Sequence, residues 1–128
     1  VTVLLAALGA AIGAPLRYLA DRFVQQHHDS TFPWGTHAAN ATACLLLGTV
    51  SGFALPEWAA ALVATGVLGA LSTYSTFGYE TFALLRAGRR FLAFANAAVS
   101  LAAGLGALLI GLAVAASLTG AASLTGAA

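Results

Sequence analysis

The side chains that could do chemistry in this sequence are hydroxyls, amides and ring edges, and they sit in an otherwise apolar chain. Residues 72–80 read STYSTFGYE, a run of hydroxyls closed by the Glu80 carboxylate. Thr36 and Asn40 are four apart, so on a helix they share a face. Asn40 brings two N–H donors and an acceptor oxygen. Asn96 and Ser100, also four apart and followed by Gly104, draw a thin polar stripe down an apolar segment. Tyr74 and Phe77 are three apart, one helical turn, so their rings stack along one face. Donors of this kind can replace the water around a small anion, and ring edges carry the positive part of the aromatic quadrupole. Each feature also has a plain alternative. Thr36–Asn40 and Asn96–Ser100 fit an interhelical hydrogen bond, and the hydroxyl run fits a kink. His37 lies one position off the Thr36–Asn40 face and reads as a mouth residue. His27 and His28 fall in a loop with no metal-ligand spacing. With no nucleophile–base pair in view, an enzyme is not expected.

The elements that must position these groups are membrane helices. Of 128 residues, 60% are hydrophobic and 7% charged, against about 25% charged in soluble domains. The net charge of +1 offers nucleic acid nothing to bind. Cys44 is the single cysteine, so no intrachain disulfide is possible. The apolar start lacks a basic leader, and Arg17 and Asp21 stand where a cleavage site would be needed, so it reads as a retained span. Crossing ~30 Å of hydrocarbon takes roughly 20 helical residues. Four stretches qualify: 2–24, containing Pro15 and Arg17; 36–54; 57–85, broken near Ser72; and 91–116. QQHHDSTFPWG forms a polar loop with Trp34 as an interfacial aromatic, Pro56 makes a tight turn, and RAGRR a short basic loop. The expected fold is all-α: four transmembrane helices forming one membrane domain over 1–116. The tail, 117–128, with its tandem ASLTGA, is expected to be frayed or disordered.

Two further patterns concern packing and the break. Gly9 and Gly13, Gly48 and Gly52, and then Gly104, Gly106 and Gly111 let helix backbones approach closely in lipid. Gly66 and Gly69 loosen the third span before Ser72, and the hydroxyls from Ser72 to Ser75 compete for backbone partners. Broken helices in a membrane free carbonyls to hold cations and N–H groups to face anions. Four helices barely enclose a pore, so a dimer is expected.

At these residues the sequence resembles the Fluc fluoride channels, also called the CrcB family, over nearly its whole length. GAPLRY (13–18) fits the family's GAxxRY, and FPWGTHAAN its FPxGTxxxN. GVLGALSTYSTF fits GxxGxxTTFSTF, and NAAVSLAAG fits its pattern of a polar residue, then Ser, then Gly. The resemblance implies an antiparallel, dual-topology homodimer with two pores in the cell membrane, exporting fluoride. It implies that Asn40, supported by Thr36, is the pore asparagine, and that Tyr74 and Phe77 are the two ring residues of the path. Ser75, Thr76, Asn96 and Ser100 would form the polar track, with Glu80 a carboxylate near the pore. Backbone carbonyls of Gly69 and Ser72 would hold a structural sodium ion (Na+) that is not transported. The sequence departs from the family pattern at Tyr74, where Phe is usual, and at Ser72 in place of Thr. Ala43, Cys44 and Leu45 stand where Gly, Ser and Phe are usual.

Fluoride suits such groups. It is small and strongly hydrated, and no Arg or Lys lies among these residues, so nothing there would trap an anion. Fluoride enters cells as the neutral acid, and an inside-negative potential expels the anion with roughly 2.3 kcal/mol per 100 mV. A passive path is enough. Two alternatives stand beside it. A small proton-coupled multidrug transporter needs a carboxylate deep in its first span, but Asp21 lies near the end of that span and Glu80 is the only deep acid. A non-conducting subunit would tolerate Tyr74. Arg22, Arg86, Arg89 and Arg90 all fall on the side of the loops after spans one and three. Such a bias favours one orientation, so an antiparallel pair needs either tolerance of it or a paralogous partner inserted the opposite way.

Overall fold

The computed structural model describes residues 1–27 and 30–125; His28 and Asp29 of the polar loop, and the last three residues, lie outside them. Helix α1 is Thr2–His27, α2 is Trp34–Ser51, α3 covers 57–71, α4 is Tyr74–Arg86 and α5 is Arg90–Thr125. Helices α3 and α4 are the two halves of the expected third span, and no strand occurs among the described residues. Three of these units are long and apolar enough to cross a membrane: Thr2–His27, Glu57–Arg86 and Arg90–Gly120. The 18-residue α2 contributes the polar side chains of Thr36, His37 and Asn40. Its apolar length is reduced by the groups that make it chemically interesting.

Local chemistry sets most of the boundaries. Helix α1 carries on through Pro15, as membrane helices can where neighbouring groups compensate for the lost N–H. Pro56, extended at ψ 151°, caps the start of α3, and Glu57 in the first turn faces the positive end of the helix dipole. Helix α3 winds as a wider π-helix over Ala60–Leu68. Helix α4 ends in a Schellman turn: the Gly88 N–H donates to the Leu85 carbonyl at 3.0 Å and the Arg89 N–H to Leu84 at 2.9 Å. Gly88 takes the left-handed conformation this needs, at φ 75°.

Helix α5 runs beyond 116, so much of the tail expected to fray is helical as far as Thr125. Alanine-rich sequence favours that, and the Ser117 and Thr119 hydroxyls donate back to the Val114 and Ala115 carbonyls within the helix.

Two helix pairs dominate the packing, α2 on α5 and α1 on α3. Glycines permit both. A Cβ on Gly48 would collide with the Leu108 carbonyl, and one on Gly111 with the Leu45 carbonyl. Likewise Gly9 lies against the Leu62 carbonyl and the Gly66 Cα, and Gly13 against the Val67 carbonyl. A small cluster of Ala43, Leu68 and Leu71, with Leu47, Val50 and Val63, joins α2 to α3. Leu4, Leu8, Ile12, Phe91, Phe94, Leu101 and Leu105 instead point outward. In water such a surface would aggregate, whereas in a bilayer it is the lipid face.

Gly48→Ala should force α2 off α5, because the obstacle is a backbone carbonyl that cannot rotate away. Overpacking of this kind costs roughly 1–3 kcal/mol. Gly106, which has open space around it, should accept alanine with little effect. Thermal stability of the two variants in detergent checks this; equal melting curves would contradict the close-packed interface.

Candidate functional site

The break between α3 and α4 consists of two extended residues, Ser72 at ψ 151° and Thr73 at φ −143° and ψ 122°. Three side chains hold it. The Asn40 carbonyl oxygen accepts from the Thr73 backbone N–H at 2.8 Å and from the Ser72 hydroxyl at 3.2 Å. The Asn40 amide donates back to the Thr73 carbonyl at 3.4 Å. Thr73 in turn caps α4, its hydroxyl accepting from the Thr76 N–H at 3.2 Å and donating to the Thr76 hydroxyl at 3.1 Å. One asparagine on α2 thus substitutes for the helical partners that Thr73 has given up, while the Ser72 N–H still donates to the Leu68 carbonyl at 3.0 Å. The carbonyls of Gly69 and Ser72 accept no hydrogen bond among the described residues. The break therefore presents both polarities: free carbonyls at the end of α3 and first-turn N–H groups at the start of α4.

The candidate residues divide between two clefts. One, with a volume of about 290 Å³, is lined by Asn40, Ser72, Tyr74, Phe77 and Ser100, with Cys44 and Gly104. The Tyr74 and Phe77 ring centres lie 6.1 Å apart with their planes tilted 44°. Tyr74 is 85% exposed in the single chain, so its ring forms an open wall. The other cleft, about 170 Å³, is lined by Thr36 and Thr76 together with Arg17, Tyr18 and Asp21. This corrects the expectation that no basic residue lies among the polar groups: Arg17 shares a pocket with two of them, beside a carboxylate. Thr36 also does not support Asn40 directly. Its hydroxyl donates to Glu80 at 2.7 Å instead, because the next turn of α2 faces α4 at that level. The second Glu80 oxygen is buried without a partner among the described residues, and Glu80 lines a larger opening of about 600 Å³ with Phe32, Pro33 and Trp34. Ser75 is exposed and lies 3.4 Å from the Thr73 hydroxyl.

The stripe on α5 is split. Asn96 is 1% exposed and donates to the Thr81 hydroxyl at 2.8 Å, which donates to the Phe77 carbonyl at 2.8 Å. Asn96 is thus placed behind the ring of the cleft rather than in it. Ser100 does reach the cleft, and its hydroxyl lies 3.3 Å from Nδ1 of His37. His37 is buried and stacked on Phe32 at 4.9 Å. Sequence reasoning missed Thr73 and Thr81. Thr73 carried a usable signal, a hydroxyl three residues before Thr76 at a helix start. Thr81 carried none beyond its turn spacing from Phe77.

Comparison with known proteins follows this geometry. The family model for the CrcB-like protein, Camphor Resistance (CrcB), matches residues 4–112. A protein of Frankia casuarinae named fluoride-specific ion channel FluC 1 is 54% identical over 126 residues, covering 91% of this chain and 98% of its own length. The FluC 1 of Streptomyces avermitilis is 54% identical over 112 residues, covering 84% of this chain and 90% of its own. A fluoride-specific ion channel FluC 2 of Mycobacterium tuberculosis is 45% identical over 100 residues, covering 78% of this chain and 79% of its own.

Replacing Asn40 by leucine should leave the Thr73 N–H without a partner, at a cost of about 1–3 kcal/mol. Hydrogen exchange over 71–76 should then speed up by roughly tenfold or more, with exchange over 45–51 unchanged. Equal protection in both proteins would show that Asn40 does not hold the break.

Proposed function

The chain belongs to the CrcB family, and on that premise we propose that it is a fluoride-selective channel of the plasma membrane, exporting fluoride passively from the cytoplasm. The observation that carries this reading is the cleft beside the break. It gathers an amide, the three hydroxyl side chains of Ser72, Thr73 and Ser100, a phenol and a phenyl ring at one wall, with no charged side chain among them. An anion there loses its water and takes dipoles in exchange: Asn40 N–H, Ser100 and Tyr74 O–H, the edge of Phe77, and the first-turn N–H groups of α4. None is a full charge, so the ion can leave as readily as it enters. Thr36, Thr76, Ser75 and Glu80 extend the polar route toward the 600 Å³ opening, and Asn96 steadies the ring wall from behind. Arg17 beside Asp21 draws anions toward the narrower cleft while its neighbour tempers the attraction.

The relatives named fluoride-specific ion channels support the choice of fluoride over other anions. The exposure of Tyr74 supports a dimer, because a phenol facing hydrocarbon has no partner for its hydroxyl. A second copy in antiparallel arrangement would cover it; a paralogous subunit would do the same. The free carbonyls of Gly69 and Ser72 fit a hard monovalent cation, Na+, which oxygen ligands suit. Two oxygens from one chain are few, and the same pair from a second copy would complete the set. When bound, the ion supplies a fixed positive charge that offsets the cost of an anion in low dielectric.

Liposomes holding the purified protein should release fluoride and retain chloride. Phe77→Ile keeps bulk but removes the ring edge, so it should cut fluoride release by tenfold or more, about the value of one aromatic contact to a charge, while the protein still elutes as wild type. Chloride release equal to fluoride release would overturn the selectivity.

Replacing sodium on both sides by a bulky organic cation should slow fluoride release, with no sodium crossing alongside fluoride when it is present. Stoichiometric sodium movement, measured with a tracer, would mean the cation is cargo instead.

A further inference from the structure

The His37 ring sits outside the cleft but bonds to a residue that lines it. We propose that His37 is a positioning residue: its Nδ1–H donates to Ser100 Oγ and so turns the Ser100 hydroxyl proton into the cleft. The inference rests on the reading of that cleft as the fluoride path.

The argument is one of hydrogen-bond accounting. A neutral imidazole has one N–H, on Nδ1 or on Nε2. Nδ1 lies 3.3 Å from Ser100 Oγ. Nε2 is buried and, among the described residues, meets no partner in hydrogen-bonding geometry. The Asn96 side chain lies beside the ring, but its NH2 donates to Thr81 at 2.8 Å and its oxygen is not placed to accept from Nε2. A proton on Nε2 would be a buried orphan donor, which proteins tolerate less well than an orphan acceptor. The proton therefore belongs on Nδ1, where it has an acceptor. Ser100 makes no other side-chain hydrogen bond among the described residues, so its own O–H is free to donate, and the open direction is the cleft it lines. Phe32 stacks on the ring with planes 6° apart and fixes its orientation. Without His37, the serine hydroxyl four residues after Asn96 would be expected to turn back onto the helix carbonyl and present its oxygen, not its proton, to an anion.

The test uses three variants and one spectrum, all on the full chain. Wild-type liposomes must first release fluoride; if they do not, the reading of the cleft fails and not this inference. Given that flux, His37→Leu should lower fluoride release by roughly tenfold, the loss of one hydrogen bond to an ion. Ser100→Ala should lower it equally, and the double variant no further. His37→Asn, whose amide N–H reaches the place of Nδ1, should restore it. Nitrogen-15 NMR of the histidine-labelled protein, with the His37→Asn spectrum assigning the ring, should show the proton on Nδ1. Unchanged release in His37→Leu, multiplicative losses in the double variant, failure of asparagine to rescue, or a proton on Nε2 would each overturn it.

Discussion

The bond between the Asn40 carbonyl oxygen and the Thr73 backbone N–H, at 2.8 Å, is the interaction on which the rest depends. A helix interrupted inside a bilayer must find other partners for the groups it releases, since lipid offers none. Here one carboxamide engages the N–H and the carbonyl of Thr73 and the hydroxyl of Ser72. That commitment fixes two extended residues and lets α4 begin afresh, with Thr73 as its cap. The free carbonyls before the break and the free N–H groups after it exist because Asn40 makes the break affordable.

Asn40 reaches Thr73 from a helix that packs on α3 through Ala43, Leu68 and Leu71. Around that contact, Gly48 and Gly111 bring α2 onto α5, and Gly9, Gly13 and Gly66 bring α1 onto α3, in each case with backbone against backbone. In lipid, apolar side chains gain little by burial, so close packing and hydrogen bonds must supply the cohesion. The structure follows that logic. Most of its larger apolar side chains point outward, and beside the buried Leu68, Leu71 and Leu84 the interior is filled by small residues such as Ala39, Ala43 and Ala115. Substituting larger residues at the seams would move the clamp as surely as removing it.

Much of this was legible in the chain itself. Hydropathy located three of the four expected spans, while α2 is a helix that is not apolar enough to count with them, and the loosened, hydroxyl-rich run at 72–76 located the break, because a polar backbone segment in lipid advertises itself. The turn spacing of Tyr74 and Phe77 foretold the paired rings. What could not be read was direction around each helix. Thr36 and Asn40 share a face by spacing, yet one turns to Glu80 and the other to Thr73. Asn96 and Ser100 likewise part, one to Thr81 behind the rings and one to the cleft. The four-residue spacing fixes neighbours on one helix, but partners on another depend on crossing geometry that one sequence does not encode locally. Arg17 shows the same limit. Its place on the first span was plain, but not that it would share a pocket with Thr36 and Thr76.

The distribution of charge then makes sense as a division of labour. The cleft beside the break uses dipoles alone, while formal charges are kept to its approaches and to one end of the bundle. Thr31 and Pro33 of the first loop line a pocket with Ala83, Leu84 and Ala87 at the end of α4, so the loops after the first and third spans lie at the same end. Arg22, Arg86, Arg89 and Arg90 stand in or beside those loops along the chain. Such an end favours one orientation, a bias that an antiparallel pair of identical chains would have to tolerate. A charge deep in the path would hold an anion by many times thermal energy, since attraction grows as the dielectric falls. Placed at the end, in water and within a screening length of about 8 Å, the same charge gathers ions without retaining them.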